Sequence, residues 1–123
     1  MWQLAKNFNM YNIIKNQIRD KKELRSTKKN AFKTRIDGIQ TQIKMKKEIL
    51  RQHKRRVAQD PGTSPARSQQ KENFRIYGKL IRDTEKEIAS LEKELTATTK
   101  EKDAEIKAID AEIKVLEANL KIY

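Results

Sequence analysis

The chain has 123 residues, 36% of them apolar and 37% charged, with three Gly, two Pro and no Cys, and its 29 Lys/Arg against 17 Asp/Glu give a net charge of +12. This length fits one domain, but so few turn formers and apolar residues exclude a globule with a deep core, and the missing thiols exclude a disulfide framework and a thiolate metal centre. The composition fits a long two-helix rod carrying an excess of positive charge.

Residues 1–9 read as a short polar tail that leads into the first helix, with Trp2 and Leu4 as candidate protein-docking residues. Met1 to Tyr11 holds one Lys and no sustained apolar run, so neither a secretory signal nor a transmembrane helix is expected there. The expected localisation is soluble, intracellular or within a particle.

The first helical arm is predicted over 10–58 and is strongly basic. Residues 1–60 carry 17 Lys/Arg against 5 Asp/Glu, whereas residues 61–123 carry 12 against 12, so the whole excess lies in the first half. Ile36, Ile39, Ile43, Leu50 and Val57 fall on alternating three- and four-residue steps, the stripe of a coiled coil. Between Lys15 and Lys33 the stripe is interrupted by Lys or Arg at positions 21, 25 and 28.

Residues 59–67 are the predicted hairpin loop. Pro61 ends the first arm, Gly62 supports the reversal, and Ser64 precedes Pro65 as a cap for the second arm. The charge-balanced second arm follows over 68–123. Its stripe comprises Phe74, Tyr77, Ile81, Ile88, Leu91 and Leu95.

The two stripes obey one arithmetic. Ile36 with Leu95, Ile43 with Ile88, Leu50 with Ile81, and Val57 with Phe74 all have residue numbers that add to the same constant, as does Ile18 with Ile113. Ile14 with Leu116, Tyr11 with Leu120, and Phe8 with Tyr123 agree with it within one residue. A constant of this kind is what an antiparallel pair produces. The eleven-residue step from Leu95 to Ile106 is matched by the step from Arg25 to Ile36 at the same height. A four-residue insertion into the heptad pattern locally unwinds a left-handed supercoil. The prediction is therefore an all-α fold in one domain: a long antiparallel two-helix coiled-coil hairpin with a matched hendecad stutter in each arm. The same mirror rule sets Lys21 opposite Asp110 and Lys28 opposite Asp103 as expected ion pairs, His53 near Tyr77, and Lys46 opposite Thr84 as a polar layer that fixes register.

Residues 51–82 contain nine basic side chains and two acidic ones, so the tip of the hairpin is a basic knob. Such a density attracts phosphate backbones through counterion release without reading base sequence. The candidate nucleic-acid contacts are Lys44, Lys47, Arg51, Lys54, Arg55, Arg56, Arg67, Lys71 and Arg75. DNA, RNA and an acidic protein are equally compatible with this charge. Met45, Ile49, Ile76 and Leu80 near the tip, with Val115 and Ile122 near the base, flank the stripes. They are candidate protein interfaces, including a surface for self-association.

No catalytic constellation is apparent. His53 is the only histidine, so no metal site and no cofactor are expected. Pairs such as Glu85/Glu87, spaced by two, point to different helix faces and do not form an acid and base pair. The expected role is a non-enzymatic structural component of a large nucleoprotein or virion-like complex, with the tip on nucleic acid and the stem on protein subunits. In outline, a basic, cysteine-free antiparallel hairpin of this length also resembles the central-stalk proteins of type III export systems. That resemblance is carried by architecture and not by a motif, and implies ends that engage a protein ring. An anionic membrane surface fits less well, because the cations lie on all sides and no broad apolar face opposes them.

Overall fold

The computed structural model describes the backbone of residues 2–58 and 67–123 and the side chains of residues 8–57 and 71–123. Two helices, α1 (Trp2–Ala58) and α2 (Arg67–Leu120), make up an all-helical hairpin. The expected loop at 59–67 lies outside the described residues, except that Arg67 opens α2.

α1 begins at Trp2, so the expected tail at 1–9 is helical from its second residue. Gln3, Leu4, Ala5 and Lys6 are good helix formers, and extending an existing helix costs far less than nucleating one. The stripe fades there but the helix does not. At the other end α2 stops at Leu120, short of residue 123. Lys121 still donates to the Glu117 carbonyl at 3.3 Å, after which Ile122 and Tyr123 donate only three residues back, to Asn119 at 3.1 Å and Leu120 at 3.2 Å. The final turn tightens in this way to use carbonyls that a helix end leaves open.

Residue proximity divides the chain into a terminal unit, Met1–Arg35 with Thr98–Tyr123, and a central unit, Ile36–Ala97. The boundary falls inside the two eleven-residue steps. Sheltered positions run Arg25, Lys28, Phe32, Ile36 in α1 and Leu95, Thr98, Lys102, Ile106 in α2, the same order of steps in each, as a stutter requires.

In the terminal unit Ile14, Ile18, Phe32, Ile109 and Ile113 are buried, and Tyr11, Leu116 and Leu120 are half-buried. The mirror pairs Ile18/Ile113, Ile14/Leu116 and Tyr11/Leu120 are thus sheltered on both arms. Phe8 and Tyr123 are both exposed, because Tyr123 lies beyond the end of α2 and no longer follows the helical mirror.

The basic stretch of α1 is joined to α2 by ion pairs whose partner numbers fall as α1 numbers rise: Lys21 with Glu112 (2.6 Å), Arg25 with Asp110 (2.7 Å), Lys28 with Glu105 (3.6 Å) and Arg35 with Glu101 (3.9 Å). The expected partners Asp110 for Lys21 and Asp103 for Lys28 are therefore replaced. The reason is geometric. Helical side chains lean toward their own N-terminus, so in an antiparallel pair the two sets lean in opposite senses. A cation of α1 accordingly meets a carboxylate further along α2 than its mirror position. Each such exposed pair contributes about 0 to 1 kcal/mol.

In the central unit Ile39, Ile43, Thr84 and Ile88 are buried, and Ile36, Leu50, Ile81, Leu91 and Leu95 are half-buried. Thr84, expected opposite Lys46, is buried, and the Lys46 ammonium pairs with Glu87 at 2.7 Å. His53 and Tyr77 share a layer, with ring centroids 6.0 Å apart and planes tilted by 39°. The expected Val57/Phe74 layer differs, since Phe74 is 67% exposed. The Tyr77 ring, met by His53 on one side and by the Arg56 guanidinium at 5.7 Å, closes the described seam one step earlier.

The register has a direct check in the buried Ile43/Ile88 layer. Ile43→Cys with Ile88→Cys should oxidise to a disulfide within one chain, seen as a faster-migrating monomer on a non-reducing gel. Only intermolecular products would contradict the register.

Candidate nucleic-acid interface

Helical spacing sorts the central-unit cations by flank. Lys47 and Lys54 are seven residues apart and approach Glu92 and Glu85, also seven apart, each at 3.8 Å. They mark one flank of the unit. Lys44, Arg51 and Arg55 stand three or four residues from one another or from Lys47 and continue that face outward. On the opposite flank, marked by the Lys46–Glu87 pair, lie the exposed Met45, Ile49, Ile76 and Leu80. Ile49 stands three residues from Lys46 and Leu80 seven from Glu87, so the four candidate interface residues gather on one side. The central unit is two-faced, basic on one flank and apolar on the other.

Neutralisation is uneven among the nine candidate contacts. Arg51 is held by Glu48 one helical turn away. Arg75 donates to Glu72 through Nη2 at 2.5 Å and Nε at 3.3 Å, and this hydrogen bond and charge hold the Glu72 carboxyl below the usual carboxylate range. Near neutral pH Arg75 thus spends much of its charge locally. Arg56 donates to the Tyr77 hydroxyl at 2.9 Å and is turned onto its ring. Lys44, Arg55 and Lys71 have no carboxylate partner among the described residues. The Arg67 side chain, like those of the candidate docking residues Trp2 and Leu4, lies outside the described residues.

Two cations absent from the candidate contacts belong with the unpaired group. Lys79 and Arg82 also lack carboxylate partners among the described residues, and with Lys71 and Arg75 they form an outward row on α2 at four- and three-residue spacing. The terminal unit has a comparable row. Lys15, Lys22 and Lys29 recur every seven residues away from the seam without ion-pair partners among the described residues, Lys15 lying 5.9 Å from the Tyr11 ring centroid. Charge density over 51–82 already counts Lys79 and Arg82; counting each cation's position from the seam sets them in a row. Of the remaining candidate interface residues, Val115 and Ile122 are exposed in the terminal unit.

This arrangement can hold a polyanion by charge, with many ammonium and guanidinium groups and little to read base edges. Among the described residues no cluster of His, Cys, Asp or Glu is placed to hold a metal ion, and no helix is long and apolar enough to cross a membrane. Comparison with protein-family models, with curated proteins and with solved structures gives no match to this chain.

Proposed function

We propose that this is a non-enzymatic assembly protein of a nucleoprotein or virion-like particle. Its central unit lies along nucleic-acid phosphates, and its apolar flanks seat protein subunits. The observation that carries the reading is the set of outward cations, Lys44, Arg55, Lys71, Lys79 and Arg82, that no carboxylate neutralises among the described residues. Cations already paired with carboxylates gain little from a phosphate, while unpaired ones release the counterions condensed on it. Their distribution over two helices favours a backbone contact without base specificity.

The test is binding of the purified chain to a labelled random-sequence nucleic acid across a salt series. The expected result is a steep linear fall of log affinity with log salt, with a slope near −4.5 if about five phosphates are engaged. Absence of binding at low salt would overturn this reading. It would favour the stalk of a type III export machine, for which the exposed Ile122 and Tyr123 at the end of α2 offer protein-docking groups.

A further inference from the structure

The two flanks of the terminal unit treat their cations differently. On one flank Lys21, Lys28 and Arg35 each meet a glutamate of α2, and the shallow grooves there are lined in part by Leu24 and Val115. The other flank is marked by the Arg25–Asp110 pair. It holds a groove lined from α1 by Lys15, Arg19, Lys22 and Ser26 and from α2 by Glu117 and Leu120. Glu117 stands seven residues from Asp110, so the pair and the groove share a side.

Two cation rows border this second flank. On α1, Lys15, Arg19, Lys22, Lys29 and Lys33 follow three- and four-residue steps with Ser26 in the one gap, and all five are exposed. On α2 the exposed Lys100, Lys107 and Lys114 recur every seven residues, the last two standing three and four residues from Asp110. Among the described residues only Arg19 of these eight approaches a carboxylate, that of Asp20 at 3.8 Å. With Arg25 they outnumber the carboxylates on or beside the flank, which are Asp20, Glu23, Asp103, Asp110 and Glu117. At 1.5 Å per residue the rows extend about 27 Å and about 21 Å. Point charges over such lengths suit a linear polyanion, whereas a compact anion would engage only one or two lysines. A protein partner needs a desolvated apolar centre, but the exposed large apolar residues of these stretches, Leu24 and Val115, lie on the other flank. The same lack disfavours a membrane surface. Seven lysines and one arginine supply charge without the forked donors that read base edges.

We infer that this flank of the terminal unit is a second contact for a nucleic-acid phosphate backbone, so that one chain holds two short segments of nucleic acid. The inference rests on the reading of the chain as a phosphate-backbone binder, on residues which that reading does not use. The carboxylates among its cations make this contact the weaker one, and the central contact governs affinity at moderate salt.

Calorimetric titration at low salt tests it by counting bound DNA hairpins of mixed sequence. A stem of about eight base pairs matches the α1 row at 3.4 Å per base pair. The terminal variant carries Lys15→Gln, Lys22→Gln, Lys29→Gln, Lys107→Gln and Lys114→Gln; the central variant has Gln for Lys44, Arg55, Lys71, Lys79 and Arg82. The full chain should bind two hairpins, either variant one and the combined variant none. Adding the terminal substitutions to the central variant should weaken its remaining binding at least about a hundredfold, with helicity unchanged by circular dichroism. A single bound hairpin that survives the terminal variant and vanishes in the central one would overturn the inference and leave the central contact standing. The reverse pattern would overturn the central contact and support the inference, and no binding to any form would overturn both. Lys→Arg at the same five terminal positions should retain the second hairpin; its loss there too would overturn a role for charge. Polyglutamate of equal charge bound by the central variant as tightly as DNA would overturn the choice of nucleic acid.

Discussion

Replacing Lys44, Arg55, Lys71, Lys79 and Arg82 with Gln is expected to remove most of the salt-dependent affinity for nucleic acid. Replacing Arg51 and Arg75 should remove little. The two sets differ in what already neutralises them. Arg51 and Arg75 each face a glutamate one turn away, so moving either onto a phosphate breaks one charge-assisted contact to make another. The five unpaired cations have no such competitor among the described residues. With a slope contribution of about 0.9 per phosphate neutralised, losing five contacts flattens the slope of log affinity against log salt by about 4.5 and lowers affinity at 0.1 M salt by roughly two to four orders of magnitude. Fluorescence anisotropy at five or six salt concentrations measures both quantities. An equal loss from both sets would mean that pairing does not select the contacts, and no loss from the five would place the contact elsewhere. Every substitution is on an exposed helix surface, where Gln is nearly as good a helix former as Lys or Arg, so helicity should stay unchanged.

The second large effect is expected at Phe32→Ala. Among the described residues Phe32 is the bulkiest buried side chain of the terminal unit, 5% exposed, and it stands at the middle of the eleven-residue step. Truncating a buried Phe costs about 3 to 5 kcal/mol, because the surrounding helices close only part of the cavity. Few other large residues in this narrow seam can share that loss. Thermal unfolding followed by circular dichroism should show a markedly lower midpoint for Phe32→Ala than for Phe74→Ala, since Phe74 is mostly exposed and its removal falls within the small range of surface substitutions. Hydrogen exchange should place the loss of protection in the terminal unit. Equal midpoints for the two variants would contradict the assignment of Phe32 to the core.

The hairpin was legible because its apolar residues carry two kinds of order at once. Heptad steps set the faces of Ile39, Ile43 and Ile88, and the mirror numbering sets their height, so wrong pairings fail at least one of these constraints. The ion pairs were legible only to within a few residues. Lys21 and Lys28 reach Glu112 and Glu105 because long side chains lean, and no count of Cα positions contains that lean. Phe74 satisfied the periodicity yet lies outside the seam, since spacing states which face a residue takes and not whether anything covers it. Charge density treats Arg75 and Lys79 alike. Only the local Glu72 hydrogen bond separates them. Which polyanion such a surface would hold is not legible, because the described cations offer no pattern of donors and acceptors for bases.

The placement of Phe32 and Thr98 extends further. Thr98 is 2% exposed, and the mirror numbering sets it and Phe32 within one residue of the same height. A seam of repeated isoleucines tolerates sliding by a heptad, because one Ile replaces another. A single large buried ring at the height of a small buried hydroxyl residue does not slide, since among the described residues no other heptad offers the same combination of volume and polarity. The layer works as a key with one slot: it selects one alignment of the two strands of the hairpin from several that the aliphatic repeat alone would accept, and it does so where the heptad phase changes and a slipped pairing would otherwise be least penalised.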